Sequence, residues 1–162
     1  MNKTFENCTL LDTKTWFSKA RPKPDLKDQN SQLGCHYEEV AESIEQLEGI
    51  DQETAYLIDE AHLAIHRLAE HLKNNSSSHL IEVKDEVLFL DSFCDQIVTG
   101  TGVAHTRGYD IVGAMTEVNR SNFSKFDHAG NPLYDPNGKV IKGPHYSKAV
   151  LSPYVPNPLR AS

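Results

Sequence analysis

The sequence contains no apolar run approaching the roughly 20 residues that a membrane-spanning helix requires, so the chain is expected to stay in water. Its start, Met1 to Leu10, lacks the charged, apolar and small-residue succession of a secretory signal. Cysteine is scarce: Cys8, Cys35 and Cys94 form an odd set with neither CxxC nor zinc-type spacing. That pattern predicts reduced thiols in a cytoplasmic protein. There is no P-loop, no Rossmann glycine pattern and no HExxH. A basic surplus is missing too, and the net charge of -7 argues against a domain that reads nucleic acid.

The charge that is present is unevenly spread. From Leu33 to His66 there are nine acids and no Lys or Arg. From Val118 to Ser162 six basic residues face two acids, Asp127 and Asp135. An acidic helical block with a basic tail suits a ligand of both signs, such as a metal–triphosphate complex. The 162 residues fit one domain.

Hydrophobic periodicity predicts an all-α fold, a bundle of about four helices with arms at both ends. Residues 1–33 read as an N-terminal arm with a short helix over 12–19, broken by Arg21-Pro22-Lys23-Pro24. The helical core spans 34–125. Its first helix covers 34–48, and a second begins at a cap on Asp51 and runs to about Lys73. A third covers about 79–106, and a fourth follows Gly108 and a cap on Asp110 to near Asn122. Residues 126–162 form a C-terminal arm, with a small hairpin over 127–142 and a proline-rich extended tail.

Two groups of acids carry the chemistry. Glu38, Glu39 and Glu42 form E-E-x-x-E, which places Glu42 on one face with both others. A divalent cation would relieve the repulsion among them, although the same acids also fit a solvated face opposite Val40, Ile44 and Leu47. Asp91 and Asp95, one turn apart, fall inside the apolar stripe of Val87, Leu88, Cys94, Ile97 and Val98. Core-facing carboxylates are costly without a counter-ion. Mg²⁺ (or Mn²⁺) with oxygen ligands is the simplest compensation, and caps or pairing to Arg107 or Lys84 the alternative.

Together with E-V-N-R-S-N-F-S-K-F at 117–126 and G-K-V-I-K-G-P-H-Y at 138–146, this order of motifs resembles the all-α nucleoside triphosphate pyrophosphohydrolases. That superfamily includes the MazG-type enzymes and phosphoribosyl-ATP pyrophosphohydrolase. The resemblance implies a homodimer or homotetramer that binds Mg²⁺ and cuts a nucleoside triphosphate, such as a dNTP or a non-standard nucleotide, between the α and β phosphates. By motif position it implies Glu39 and Glu42 as metal ligands, joined by Asp91 and Asp95. Glu38 would be a further ligand or would orient the attacking water, with Glu39 as its catalytic neighbour. The common E-x-x-D has Ser92 in its first position here, which leaves Asp91 less securely matched than Asp95. The resemblance further implies Asn122 and Lys125 on phosphate or sugar, Lys139 and Lys142 closing on the triphosphate, and Tyr146 against the base.

Other features are set aside. His62 and His66 have zinc-compatible spacing but lie on the polar side of their helix and read as exposed histidines. The segment Asp135 to Lys139 lacks calcium-loop spacing and reads as a turn. A competing reading of the whole chain is a non-catalytic helical dimer that binds a nucleotide or a protein partner.

Overall fold

The computed structural model describes residues 9–136 and 138–156. Cys8 and Pro158 lie outside them, as do most of the Met1 to Leu10 segment and Asn137 of the second turn signal. The fold is all-α. The α-helices are α1 (Thr9–Ala20), α2 (Leu26–Glu45), α3 (Gln52–Asn74), α4 (Glu86–Thr106) and α5 (Ile111–Phe123). A 3-10 turn, Ser152–Tyr154, follows late in the tail. The chain divides into two compact units, one of residues 23–83 and one joining the described residues before Lys23 to those from Lys84 onward.

In the first unit α2 and α3 pack against each other. Helix α2 starts at residue 26, so residues 26–33, expected in the arm, are helical. The cause is a reciprocal cap directly after the Pro22–Pro24 break. The Asp25 carboxylate accepts the Asp28 amide at 2.9 Å, and the Asp28 carboxylate accepts the Asp25 amide at 3.3 Å. Helix α3 starts as expected, with Asp51 accepting from the Thr54 amide at 2.9 Å and its hydroxyl at 2.7 Å. Small residues set the approach of the two helices: Gly34, Ala41 and Ala69 are buried, and Leu72 fills the space between them. A Cβ at Gly34 would sit 2.7 Å from Lys73 Cγ and 3.0 Å from the Ala69 carbonyl oxygen. Glycine therefore leaves the path that the Lys73 stem takes across α2. Past α3, buried Asn30 donates both amide protons, to the carbonyls of Ser76 and Ser78 at 2.8 Å each.

In the second unit α4 begins at residue 86, whereas the sequence suggested about 79. Asp85 caps it, accepting the amides of Val87 at 2.9 Å and Leu88 at 3.0 Å. The apolar residues Leu80, Ile81 and Val83 mimic the helical period, but residues 79–83 are non-helical. Gly100 and Gly102 stay within the helix. Gly108, at φ +72°, ends this segment in a conformation that glycine adopts without strain. Asp110 then caps α5 through the Gly113 amide at 2.9 Å, as the sequence suggested.

Helix α1 packs on α5. Buried Asn119 donates to the Thr9 carbonyl at 2.9 Å and accepts the Thr13 hydroxyl at 3.0 Å. The Trp16 indole N–H donates to the Asn122 carbonyl at 2.9 Å, and its ring stacks on Phe126 at 5.8 Å with planes 11° apart. Among the described residues the expected hairpin reduces to one antiparallel bridge, Tyr134 to Val140, which flanks the turn closed by Asp135 and Lys139 and follows the turn at Asp127–Asn131.

Candidate functional site

The cap at Asp25 and the packing of Gly34 and Ala41 on α3 fix the rotation of α2 and so the positions of its acids. Glu38, one turn beyond Gly34, lies at the edge of the interface and is half-buried. It forms an ion pair with Lys73 from the last turn of α3. The expected helix over 34–48 holds no Lys or Arg, and the pairing comes from a residue 35 positions away. Glu38 is thus tied into the α2–α3 interface. Glu39 and Glu42 are exposed on α2.

Asp91 and Asp95 are also exposed, which corrects the expectation of a core-facing stripe. The stripe exists, but nothing within its own unit covers it. Val87, Leu88, Leu90, Ile97, Val98 and Val103 are 53–76% exposed, and Ala104 is the buried residue of α4. Helix α4 meets α5 only weakly. Within that unit these carboxylates face solvent. Among the described residues, no group of three or more His, Cys, Asp or Glu side chains is placed to hold a metal. Each pair taken alone, Glu39 with Glu42 and Asp91 with Asp95, nevertheless offers oxygen donors of the type a hard cation takes. Cys94, on the same helix, is an exposed free thiol.

The two C-terminal motifs meet. The Gly143 amide donates to the Lys125 carbonyl at 3.0 Å, and the Tyr146 amide donates to the Gly143 carbonyl at 3.1 Å. Lys125 Nζ donates to Asn122 Oδ1 at 2.8 Å and lies 5.6 Å from the centre of the Trp16 ring. Lys142 Nζ sits 4.7 Å from the centre of the Tyr146 ring. The backbone thus brings two side-chain pairs onto joined segments: the Lys125 ammonium with the Asn122 amide, and the Lys142 ammonium over the Tyr146 ring. Such pairs can hold anionic oxygens beside a planar ring. Lys139 is placed otherwise. It is exposed in the second turn, where its amide donates to the Asp135 carboxylate at 2.8 Å.

Sequence reasoning missed the clamp that holds these segments. Glu117 receives both Nε and an Nη of Arg120, each at 2.7 Å, and the Val150 amide at 3.0 Å. Arg120 also donates to the Lys148 carbonyl at 3.2 Å, and the Ser147 amide donates to Ser124 Oγ at 2.9 Å. The i, i+3 spacing of Glu117 and Arg120 was a readable signal. Arg120 fastens the tail to α5. Its guanidinium, with the Val150 amide, holds the Glu117 carboxyl at about 2, against an ordinary 4.5. A depressed carboxyl supports the folded arrangement above its unfolded pKa and loses that support as pH falls toward the folded value. Protection of the Val150 amide in hydrogen exchange is expected to persist down to about pH 4.5 and to fall between there and about pH 2. Glu117→Gln is expected to remove that pH dependence, and an unchanged profile would show that another group holds the tail.

His62 and His66 are half-buried, with rings 5.8 Å apart and His66 Nδ1 3.8 Å from Glu70. The Asp135–Lys139 segment is a turn, as read. Among the described residues no helix is long and apolar enough to cross a membrane. No protein-family profile, curated protein or solved structure matches the chain.

Proposed function

We propose that the chain is a Mg²⁺-dependent nucleoside triphosphate pyrophosphohydrolase of the MazG-like kind, cytoplasmic and active as a homodimer or homotetramer. The observation that carries this reading is the meeting of S-N-F-S-K-F and G-K-V-I-K-G-P-H-Y at the bond from Gly143 to Lys125. Two motifs that the resemblance assigns to one substrate are adjacent in space, and their Lys, Asn and Tyr side chains suit a polyphosphate and a base. Glu39 and Glu42 in one unit, and Asp91 and Asp95 in the other, are carboxylate pairs of the kind that bind Mg²⁺. When bound, a divalent ion neutralises phosphate charge and lowers the pKa of a ligated water. Lys125 and Lys142 would bind phosphate oxygens, Asn122 would orient them, and Tyr146 would pack on the base. Glu38, paired to Lys73, acts in this scheme by fixing α2, and Glu39 is left to align the water.

Self-association is supported by α4. Its exposed aliphatic side chains would each contribute about 1.5–3 kcal/mol if fully buried, and apolar patches of this kind mark interaction surfaces. The same helix also favours the second reading, a non-catalytic dimer whose acids are simply solvated.

One assay separates the readings: pyrophosphate release from a panel of NTPs, dNTPs and phosphoribosyl-ATP with Mg²⁺ or Mn²⁺. Release from one or more of the NTPs or dNTPs is expected. No release from any compound would sink the enzymatic reading, orthophosphate as first product would assign the wrong bond, and release from phosphoribosyl-ATP alone would move the substrate.

A further inference from the structure

His128 and His145, 17 residues apart in sequence, meet through their Nε2 atoms, with ring centres 3.7 Å apart and planes tilted by 52°. Both side chains are exposed. Each backbone is held independently of the other ring. The turn bearing His128 is closed by the Asp127 carboxylate on the Asn131 amide at 2.8 Å and by the Asp127 amide on the Asn131 carbonyl at 2.9 Å. The segment bearing His145 is held by Gly143 on Lys125 at 3.0 Å and by Ser147 on Ser124 at 2.9 Å. The rings face each other because the two turns do.

Two neutral imidazoles that meet Nε2 to Nε2 are satisfied in only one way: one carries its proton on Nε2 and the other on Nδ1. Any other tautomer pairing sets lone pair against lone pair or N–H against N–H. A cation that accepts both lone pairs removes that restriction. Imidazole nitrogens select Zn²⁺, Cu²⁺ or Ni²⁺, whereas Mg²⁺ prefers the oxygen donors found on α2 and α4.

We propose that His128 and His145 form a binding site for one divalent transition-metal ion, with Zn²⁺ as the reference ion. Both Nε2 atoms are ligands, and water fills the remaining positions. Two nitrogens on a tetrahedral Zn²⁺ stand about 3.3 Å apart, given Zn–N bonds near 2.0–2.1 Å. The rings part slightly to admit the ion, which exposed side chains do by rotation about χ1 and χ2. Asp127 is committed to Asn131 and is not a third ligand. Bound metal cross-links the 127–131 turn to the 143–147 segment. The proposal does not depend on the nucleotide reading.

The test uses the untagged, metal-free full chain, titrated with Zn²⁺ in excess Mg²⁺ by calorimetry while the histidine ring nitrogens are followed by NMR. One equivalent is expected, with the Nε2 signals of His128 and His145 shifting together. His128→Gln and His145→Gln should each lose that equivalent with an unchanged helical circular-dichroism spectrum. A His62→Gln/His66→Gln double variant should keep it. Absence of binding, an equivalent that survives in the His128→Gln/His145→Gln double variant, or shifts confined to His62 and His66 would each overturn the assignment.

Discussion

Glu42→Gln and Asp95→Asn are each expected to cut Mg²⁺-dependent pyrophosphate release by roughly 10²-fold or more, the scale associated with losing a positioned catalytic group or a ligand to a catalytic ion. Both side chains are exposed, so neither change should alter helical content or the unfolding midpoint. Glu38→Gln should behave differently. Its partner Lys73 is left without a counter-charge at the α2–α3 edge, so the loss should appear in stability more than in turnover. Asp91→Asn tests the weaker motif match, and a rate close to that of the unaltered chain would remove it from the ligand set. Full activity in both Glu42→Gln and Asp95→Asn would place the chemistry on other residues.

Leu72→Ala is expected to destabilise the α2–α3 unit by about 2–5 kcal/mol. Leu72 is 1% exposed and is the largest fully buried side chain among the described residues. Its neighbours across the interface include Gly34, which has no side chain to swing into the space. Collapse around the cavity is therefore limited, and the cost should lie well above that of a simple transfer loss. In urea the midpoint should fall by on the order of 1 M or more with an unchanged slope. A cost below about 1 kcal/mol would mean that the interface closes over the missing atoms.

Local chemistry made much of the fold legible. Asp51, Gly108 and Asp110 each act within four residues of themselves, and the structure uses all three as read. Pro22 and Pro24 mark only the break before α2, and its start is set by the Asp25–Asp28 reciprocal cap. The start of α4 was misplaced because Leu80, Ile81 and Val83 fit the helical period without being helical, while Asp85 carried the true signal.

The candidate site was less legible. Periodicity assigns Asp91 and Asp95 to the apolar face of α4, and they do lie on that helix among its apolar residues. Whether an apolar face has a partner within the chain is a tertiary fact that periodicity does not contain. The Glu38–Lys73 pair is invisible for the same reason, since it joins two helices. The backbone bond from Gly143 to Lys125 joins the two C-terminal motifs, and no periodicity within either motif encodes it.

The division of the chain also sets an order in time. Residues 23–83 are contiguous, so α2 and α3 can pair as soon as both have left the ribosome. Trp16 cannot be satisfied so early, because its acceptor, the Asn122 carbonyl, lies 106 residues further on. At about 5–20 residues per second that interval is roughly 5–20 s, during which α1 exposes an indole, a phenylalanine and two leucines without α5 to pack on. During synthesis α1 is thus open to chaperone capture, and slowing translation between residues 23 and 118 should increase that capture.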